Sequence, residues 1–247
     1  MKIDFKNKNV LVTGGTRGIG EAIALTFLES GAKKVVITGT ADSPTLSKEL
    51  IIFPNLKYQK LNLLDIDVEK QVEAICQNYG GFDICVNNAG INQINSIEDF
   101  NFEDMNNVIK VNLIAPAQIV SVVSRGMIKK KYGRIINISS IFGKVSKEKR
   151  FNYSSSKSGL IGQTQAIALD LAKYGILVNS VGPGFIGTEL TKKILGEDGI
   201  KEMVSQVPLG RLGEPHEIAN IVAFLCSEQN SFITGQNITA DGGFLAK

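Results

Sequence analysis

The feature that most limits this chain is a repeated alternation of two kinds of segment. The first kind is short, β-branched and apolar at consecutive positions: NVLVT from Asn9, KVVIT from Lys34, DICVNN from Asp83, GRIINIS from Gly133, ILVNSV from Ile176 and NITADG from Asn237. The second kind is longer and apolar at helical spacing: EAIALTFLES from Glu21, VEKQVEAICQNY from Val68, the stretch 103–131, SSSKSGLIGQTQAIALDLAKY from Ser154 and EPHEIANIVAFLC from Glu214. A strand that is apolar on both faces must be covered on both, and a helix between successive strands is the crossover that parallel pairing requires. The alternation therefore predicts an α/β fold, a doubly wound (Rossmann) parallel sheet of about seven strands with helices on both faces.

No repeat, low-complexity tract or linker interrupts the pattern, so residues 1–247 are expected to form a single domain. The net charge of +3 is too small to argue for a nucleic-acid partner, and no nucleic-acid signature accompanies it. Three cysteines (Cys76, Cys85, Cys226) fit neither a disulfide framework nor a metal cluster, so no metal and a cytoplasmic location are expected. The start, MKIDFKNKNV, lacks the apolar core of a signal peptide, and no uninterrupted apolar run reaches the roughly 18 residues of a membrane span.

The first strand runs into Thr13-Gly14-Gly15-Thr16-Arg17-Gly18-Ile19-Gly20 and then a helix. Glycines in that position let the backbone approach a pyrophosphate, and the helix N-terminus offers free N–H groups and a positive dipole. After the second strand, Thr38-Gly39-Thr40-Ala41 lacks the carboxylate that would hold ribose hydroxyls and repel a 2′-phosphate. Arg17 and Thr40 are the expected 2′-phosphate contacts, which points to NADP(H); Asp42, just beyond, is the residue that would reverse that preference.

The spacing Gly14-x3-Gly18-x-Gly20, followed in order by Asn87-Asn88-Ala89-Gly90, Asn112, Ser140, Tyr153-x3-Lys157 and Pro183-Gly184, resembles the short-chain dehydrogenase/reductase family. NYSSSKSGLIG, GPGFIGTEL, VPLGRLGEP and ITGQNITADGG carry a closer likeness to its β-ketoacyl-acyl-carrier-protein reductases. The resemblance implies an NADPH-dependent reductase turning a ketone into a secondary alcohol, with a 3-oxoacyl thioester of acyl-carrier protein, in fatty acid synthesis, as the first-choice substrate. A sugar, nucleotide-linked sugar or other small alcohol is the alternative, and a non-catalytic dinucleotide sensor a third. Further cofactor contacts implied are Asn62 and Leu63 at adenine, Asn88, Ala89 and Gly90 along the middle, and Pro183, Gly184, Ile186 and Thr188 beyond the sixth segment. The resemblance also implies a homotetramer.

For the chemistry, Tyr153 and Lys157 share a helix face, and a neighbouring ammonium is expected to lower the phenol's pKa. Ser140, with Ser139 as competitor, is expected to donate to the substrate oxygen. Asn112 precedes Pro116 by four residues, so its carbonyl loses its helical N–H partner and is free to hold a water; the family resemblance makes that water the end of a relay through Lys157. Lys129, Lys130, Lys131 and Arg134 form a basic run suited to a helix C-terminus or to docking an acidic carrier protein, although Tyr174 stands where relatives often have a second basic residue. Lys147-Glu148-Lys149-Arg150, just before Tyr153, is either solvated surface or an anion site. His216 is assigned no role, and Gly187 to about Val207 is expected to form a lid.

Overall fold

A computed structural model describes residues 3–246. Seven strands form one sheet: β1 (Asn9–Val12), β2 (Lys34–Gly39), β3 (Leu56–Lys60), β4 (Ile84–Asn87), β5 (Gly133–Ile138), β6 (Ile176–Pro183) and β7 (Asn237–Ala240). Their order is β3-β2-β1-β4-β5-β6-β7, and every neighbouring pair is parallel.

The helices are α1 (Gly18–Glu29), α2 (Lys48–Ile51), α3 (Val68–Tyr79), α4 (Phe102–Ile109), α5 (Ala115–Lys130), α6 (Phe151–Ala172), α7 (Glu189–Ser205) and α8 (Pro215–Cys226). Alternate strand residues sort cleanly between two apolar layers. Val10, Val12, Val35, Ile37, Ile84 and Val86 pack against Ile23 and Phe27 of α1 and Val222 and Leu225 of α8. Leu11, Val36, Cys85, Ile135 and Val178 face Val72 and Ile75 of α3, Ile119 and Met127 of α5, and Leu171 of α6. Each such side chain contributes about 1.5–3 kcal/mol of burial, and because both layers draw on the same strands, neither sheet face can be left uncovered.

Several sequence expectations are refined. The third strand, LKYQK, was not among the six segments recognised; it sits at the sheet edge with a polar, partly exposed pattern, so it lacks the apolar run of a central strand. The stretch 103–131 is helical throughout, but α4 and α5 are joined by a π-turn at Lys110–Ile114. This 29-residue helix is long and apolar enough to cross a membrane by length and composition, yet more than half of its most apolar window is buried against the rest of the chain. The expected lid is a helix, α7, broken at Gly196, whose φ of 62° and ψ of −174° are open in practice only to glycine.

Candidate active site

All the loops that carry the predicted site leave the C-terminal ends of the strands. The crevice between β1 and β4, where the chain's winding reverses direction, is where open α/β sheets bind ligands.

The glycine turn follows β1. Gly14 and Gly18 have φ of 63° and 58°, which a side chain would strain. A Cβ on Gly20 would run into the Gly14 carbonyl and the Asn88 amide, so α1 can start flush against the turn only with glycine there. Thr13 was missed by sequence reasoning, yet its hydroxyl accepts the backbone N–H groups of Asn88 and Ala89, both at 3.0 Å. The Asn88 side chain is turned to the same purpose: its amide donates to the carbonyls of Thr13 and Gly14, each at 3.0 Å. The Asn88 side chain therefore braces the turn.

Arg17 is exposed at the N-cap of α1, and Thr40 is exposed at the end of β2. Thr16 and Gly39 are adjacent, since a Cβ on Gly39 would lie 3.2 Å from the Thr16 methyl, so the two segments form one rim. Asp42 is drawn outward by Lys60, 2.7 Å away, on the neighbouring strand. The Asn62 amide donates to Asp65 at 2.9 Å and its carbonyl accepts from Leu64 N–H, so the side chain orders its own loop, while Leu63 is buried. On the far side, Thr188 caps α7 by accepting the Thr191 N–H at 3.1 Å, and its methyl lies next to Gly18. Pro183 ends β6; a Cβ on Gly184 would collide with Asp241; Ile186 is buried and bridges to Gly213.

Lys157, on α6, is buried, and its Nζ donates to the carbonyl of Ile138 at 2.8 Å. Burial pushes its pKa down to about 8. Its Nζ is 5.6 Å from the centre of the Tyr153 ring, and a Cβ on Gly90 would stand 3.5 Å from it. The Tyr153 phenol is held above its ordinary pKa because burial disfavours the phenolate; a hydrogen bond with Ser140 and the charge of Arg150 pull the other way. The expectation of a phenol acidified by Lys157 is not met: the ammonium is aimed at Ile138, and burial prevails. Ser140 Oγ accepts the Phe142 N–H at 3.1 Å, which leaves its proton for the cleft. The Ser139 hydroxyl is committed to Val181 and Asn237, at 3.0 and 2.6 Å.

Asn112 lies inside the π-turn. Its side-chain amide donates to the Ile91 carbonyl (2.8 Å) and to Ser156 Oγ (3.0 Å), and its carbonyl oxygen accepts the Ile91 N–H (2.9 Å). It pins the loop after β4 to α6, and Pro116, four residues on, has no N–H to offer a helical bond. A buried chain of Asn87, Asn137 and Thr164, at 2.8 and 2.9 Å, joins β4 and β5 to α6. Phe142 packs edge-on against Tyr153 and Phe185, and Phe185 against Phe244, so one wall of the cleft is aromatic. Neither the buried chain nor this wall was read from sequence, because each joins residues from three distant segments.

The basic run divides. Lys130 pairs with Asp83 at 2.7 Å, and Arg134 is buried, donating to the carbonyls of Gly133 and Asn230. Lys129 and Lys131 are exposed at the end of α5, just before β5 begins and so at the opposite end of that strand from the loop leading to Tyr153. Lys173 lies over the Tyr174 ring at that same end of the strands.

Residues 14–245 match the family model described as enoyl-(acyl carrier protein) reductase. The chain is 40% identical over 242 residues to the 3-oxoacyl-[acyl-carrier-protein] reductase of Vibrio cholerae, covering 98% of each. It is 42% identical over 248 residues to that of Aquifex aeolicus, covering 98% of this chain and 99% of the relative. Among solved structures, ElxO with NADP bound superposes with a TM-score of 0.88 at 34% identity, covering 98% of this chain and 100% of that one. Glycine turn, Tyr153-x3-Lys157 and full-length likeness agree: the chain belongs to the short-chain dehydrogenase/reductase family.

Proposed function

We propose that this protein is an NADPH-dependent oxidoreductase that reduces 3-oxoacyl groups on acyl-carrier protein to 3-hydroxyacyl groups, the whole chain acting as one catalytic domain. The observation that carries the reading is identity of about 40% to 3-oxoacyl-[acyl-carrier-protein] reductases over 98% of the chain, with Ser140, Tyr153 and Lys157 meeting in one cleft.

The cradle suits NADP(H). Gly14, Gly15, Thr16, Gly18, Ile19 and Gly20 give a pyrophosphate close backbone approach at the start of α1. Arg17 and Thr40 stand exposed at the rim for the 2′-phosphate, and Asp42 is neutralised by Lys60. Leu63, Ala89, Gly90, Pro183, Gly184, Ile186 and Thr188 complete the walls. Asn62 and Asn88 shape them indirectly. When bound, the reduced nicotinamide supplies a hydride. Tyr153 gives its proton to the carbonyl oxygen, and Ser140 donates to that oxygen as charge develops. Lys157, with its Nζ 5.6 Å from the centre of the Tyr153 ring, favours the tyrosinate by its charge; its proton and a water on the Asn112 carbonyl restore the phenol.

Carrier docking belongs to Lys129 and Lys131. Because α6 spans roughly 33 Å, cations at its far end cannot serve their own Tyr153. In a homotetramer, pairing of the α5 and α6 faces across a two-fold axis sets one subunit's cations near its neighbour's cleft. Leu169 on α6, 81% exposed, supports such a contact. Synthesis of fatty acids in the cytoplasm follows from this reading.

The test is NADPH oxidation with an acetoacetyl thioester. Tyr153→Phe should cut turnover by about 10²–10⁴-fold while NADPH still binds. Turnover equal to that of the native protein would remove the reductase reading.

A further inference from the structure

Tyr58 and Lys60 stand two residues apart on β3, so their side chains leave the same face of this edge strand. Pairing with β2 sets Thr38 opposite Gln59 and Gly39 opposite Lys60. Leu61 N–H then donates to the Gly39 carbonyl at 2.8 Å, so the two strands stay joined up to the turn that carries Thr40. Three segments meet there: a Cβ on Gly39 would lie 3.2 Å from the Thr16 methyl of the glycine turn and 3.3 Å from the Tyr58 hydroxyl. That hydroxyl donates to the Ala41 carbonyl, and Lys60 Nζ donates to the Asp42 carboxylate at 2.7 Å. The turn after β2 is thus tied to β3 at two successive residues.

Asp42 lies two residues beyond Thr40, so their Cα atoms are at most about 7 Å apart. Its side chain is 86% exposed, and among the described residues Lys60 is its one hydrogen-bond partner, so Lys60 sets its direction. Asp65, the next acid along, is already held by Asn62 and Gln71 at 2.9 and 3.0 Å, which leaves Lys60 to Asp42. An exposed ion pair adds little to stability. Its consequence here is one of direction and charge. A carboxylate turned toward Thr40 would accept ribose hydroxyls and repel a 2′-phosphate. Paired with an ammonium on the edge strand, it does neither.

We propose that Lys60 is a positioning residue for cofactor choice: it holds Asp42 away from the adenosine ribose and so admits the 2′-phosphate of NADPH. This rests on the NADPH-dependent reading above. The chain carries a carboxylate suited to NADH at the rim of its own cleft, and β3 keeps it out of use. Lys60 acts through Asp42, not as a phosphate ligand, and takes no part in hydride transfer.

Nucleotide fluorescence gives Kd for NADPH and NADH without turnover. At low ionic strength Lys60→Ala should weaken NADPH about five- to ten-fold, the repulsion expected between a carboxylate and a doubly charged phosphate some 7 Å apart. NADH, which lacks that phosphate, should stay within about two-fold, and its binding reports that the variant is folded. The loss should shrink in about 1 M salt, where charges are screened beyond about 3 Å. Lys60→Arg should keep the native preference. Lys60→Ala combined with Asp42→Asn should restore NADPH binding, because the freed carboxylate is gone. The proposal is overturned if Lys60→Ala weakens both nucleotides equally, which is a structural brace, or if the double variant binds NADPH no better than the single one, which is direct phosphate contact. A native protein that binds NADH as tightly as NADPH sinks the NADPH reading itself. A native preference for NADPH that survives Lys60→Ala sinks only the role of Lys60.

Discussion

Lys157 is buried, its pKa is pushed down to about 8, and its Nζ donates to a neutral carbonyl. Between pH 8 and about 10.5 the unfolded chain holds a proton on this lysine that the folded chain lacks, so folding stability from this group rises with pH across that window. Below pH 8 the buried ammonium costs about 3 kcal/mol. Lys157→Met, which removes the charge, should be inactive yet more stable at pH 7, with the gap closing toward pH 10; urea titration at both pH values checks this. Arg17 offers a second single-residue test. It is exposed, and Asp42 beside its rim is held by Lys60, so the 2′-phosphate has one dominant cation to meet. Arg17→Ala should weaken NADPH roughly ten-fold or more while leaving NADH within a factor of two, as charge-assisted bonds of about 1.5–3 kcal/mol imply. Kd values for the two nucleotides decide it.

At the scale of elements, the π-turn between α4 and α5 matters most, because Asn112 uses it to clamp Ile91 and Ser156 at once. Asn112→Ala strands the N–H and carbonyl of Ile91 and should cost about 2–4 kcal/mol, seen as a clear drop in Tm with kcat falling as the loop at Gly90 loosens. Much of this architecture was legible in the sequence. Six of the seven strands show as apolar runs, and the glycine turn, Ser140, Tyr153 and Lys157 stand at recognisable spacings. What escaped has physical causes. β3 is an edge strand whose LKYQK keeps polar residues toward water. A π-turn leaves the composition of a helix unchanged, so only hydrogen bonding reveals it. Arg134 reads as one more surface cation until β5 carries it into the interior, where main-chain carbonyls surround it. Asn62 and Asn88 are polar residues whose partners lie within the protein, and a motif cannot tell such bracing from contact with a ligand.

Across the whole molecule, the site residues lie at the C-terminal ends of the strands and the exposed Lys129 and Lys131 at the opposite ends, the arrangement that the proposed docking role uses. Lys129→Glu with Lys131→Glu should raise KM for carrier-bound substrate several-fold and leave a small thioester unaffected; an equal loss on both would remove the docking role. Lys130 is a poor choice for that experiment, since it holds Asp83. The strand order also has a bearing on time. No two neighbours in this sheet are joined by a hairpin, and β1 meets β4 only when residues 10–12 find residues 84–86. Such distant pairing slows folding to the scale of milliseconds to seconds. The nucleotide crevice is made of that one seam, so a refolding chain has nowhere to seat NADPH until its two halves have closed on each other. Recovery of nucleotide fluorescence should accordingly trail the return of helical signal, making the ligand a clock for the last step of assembly.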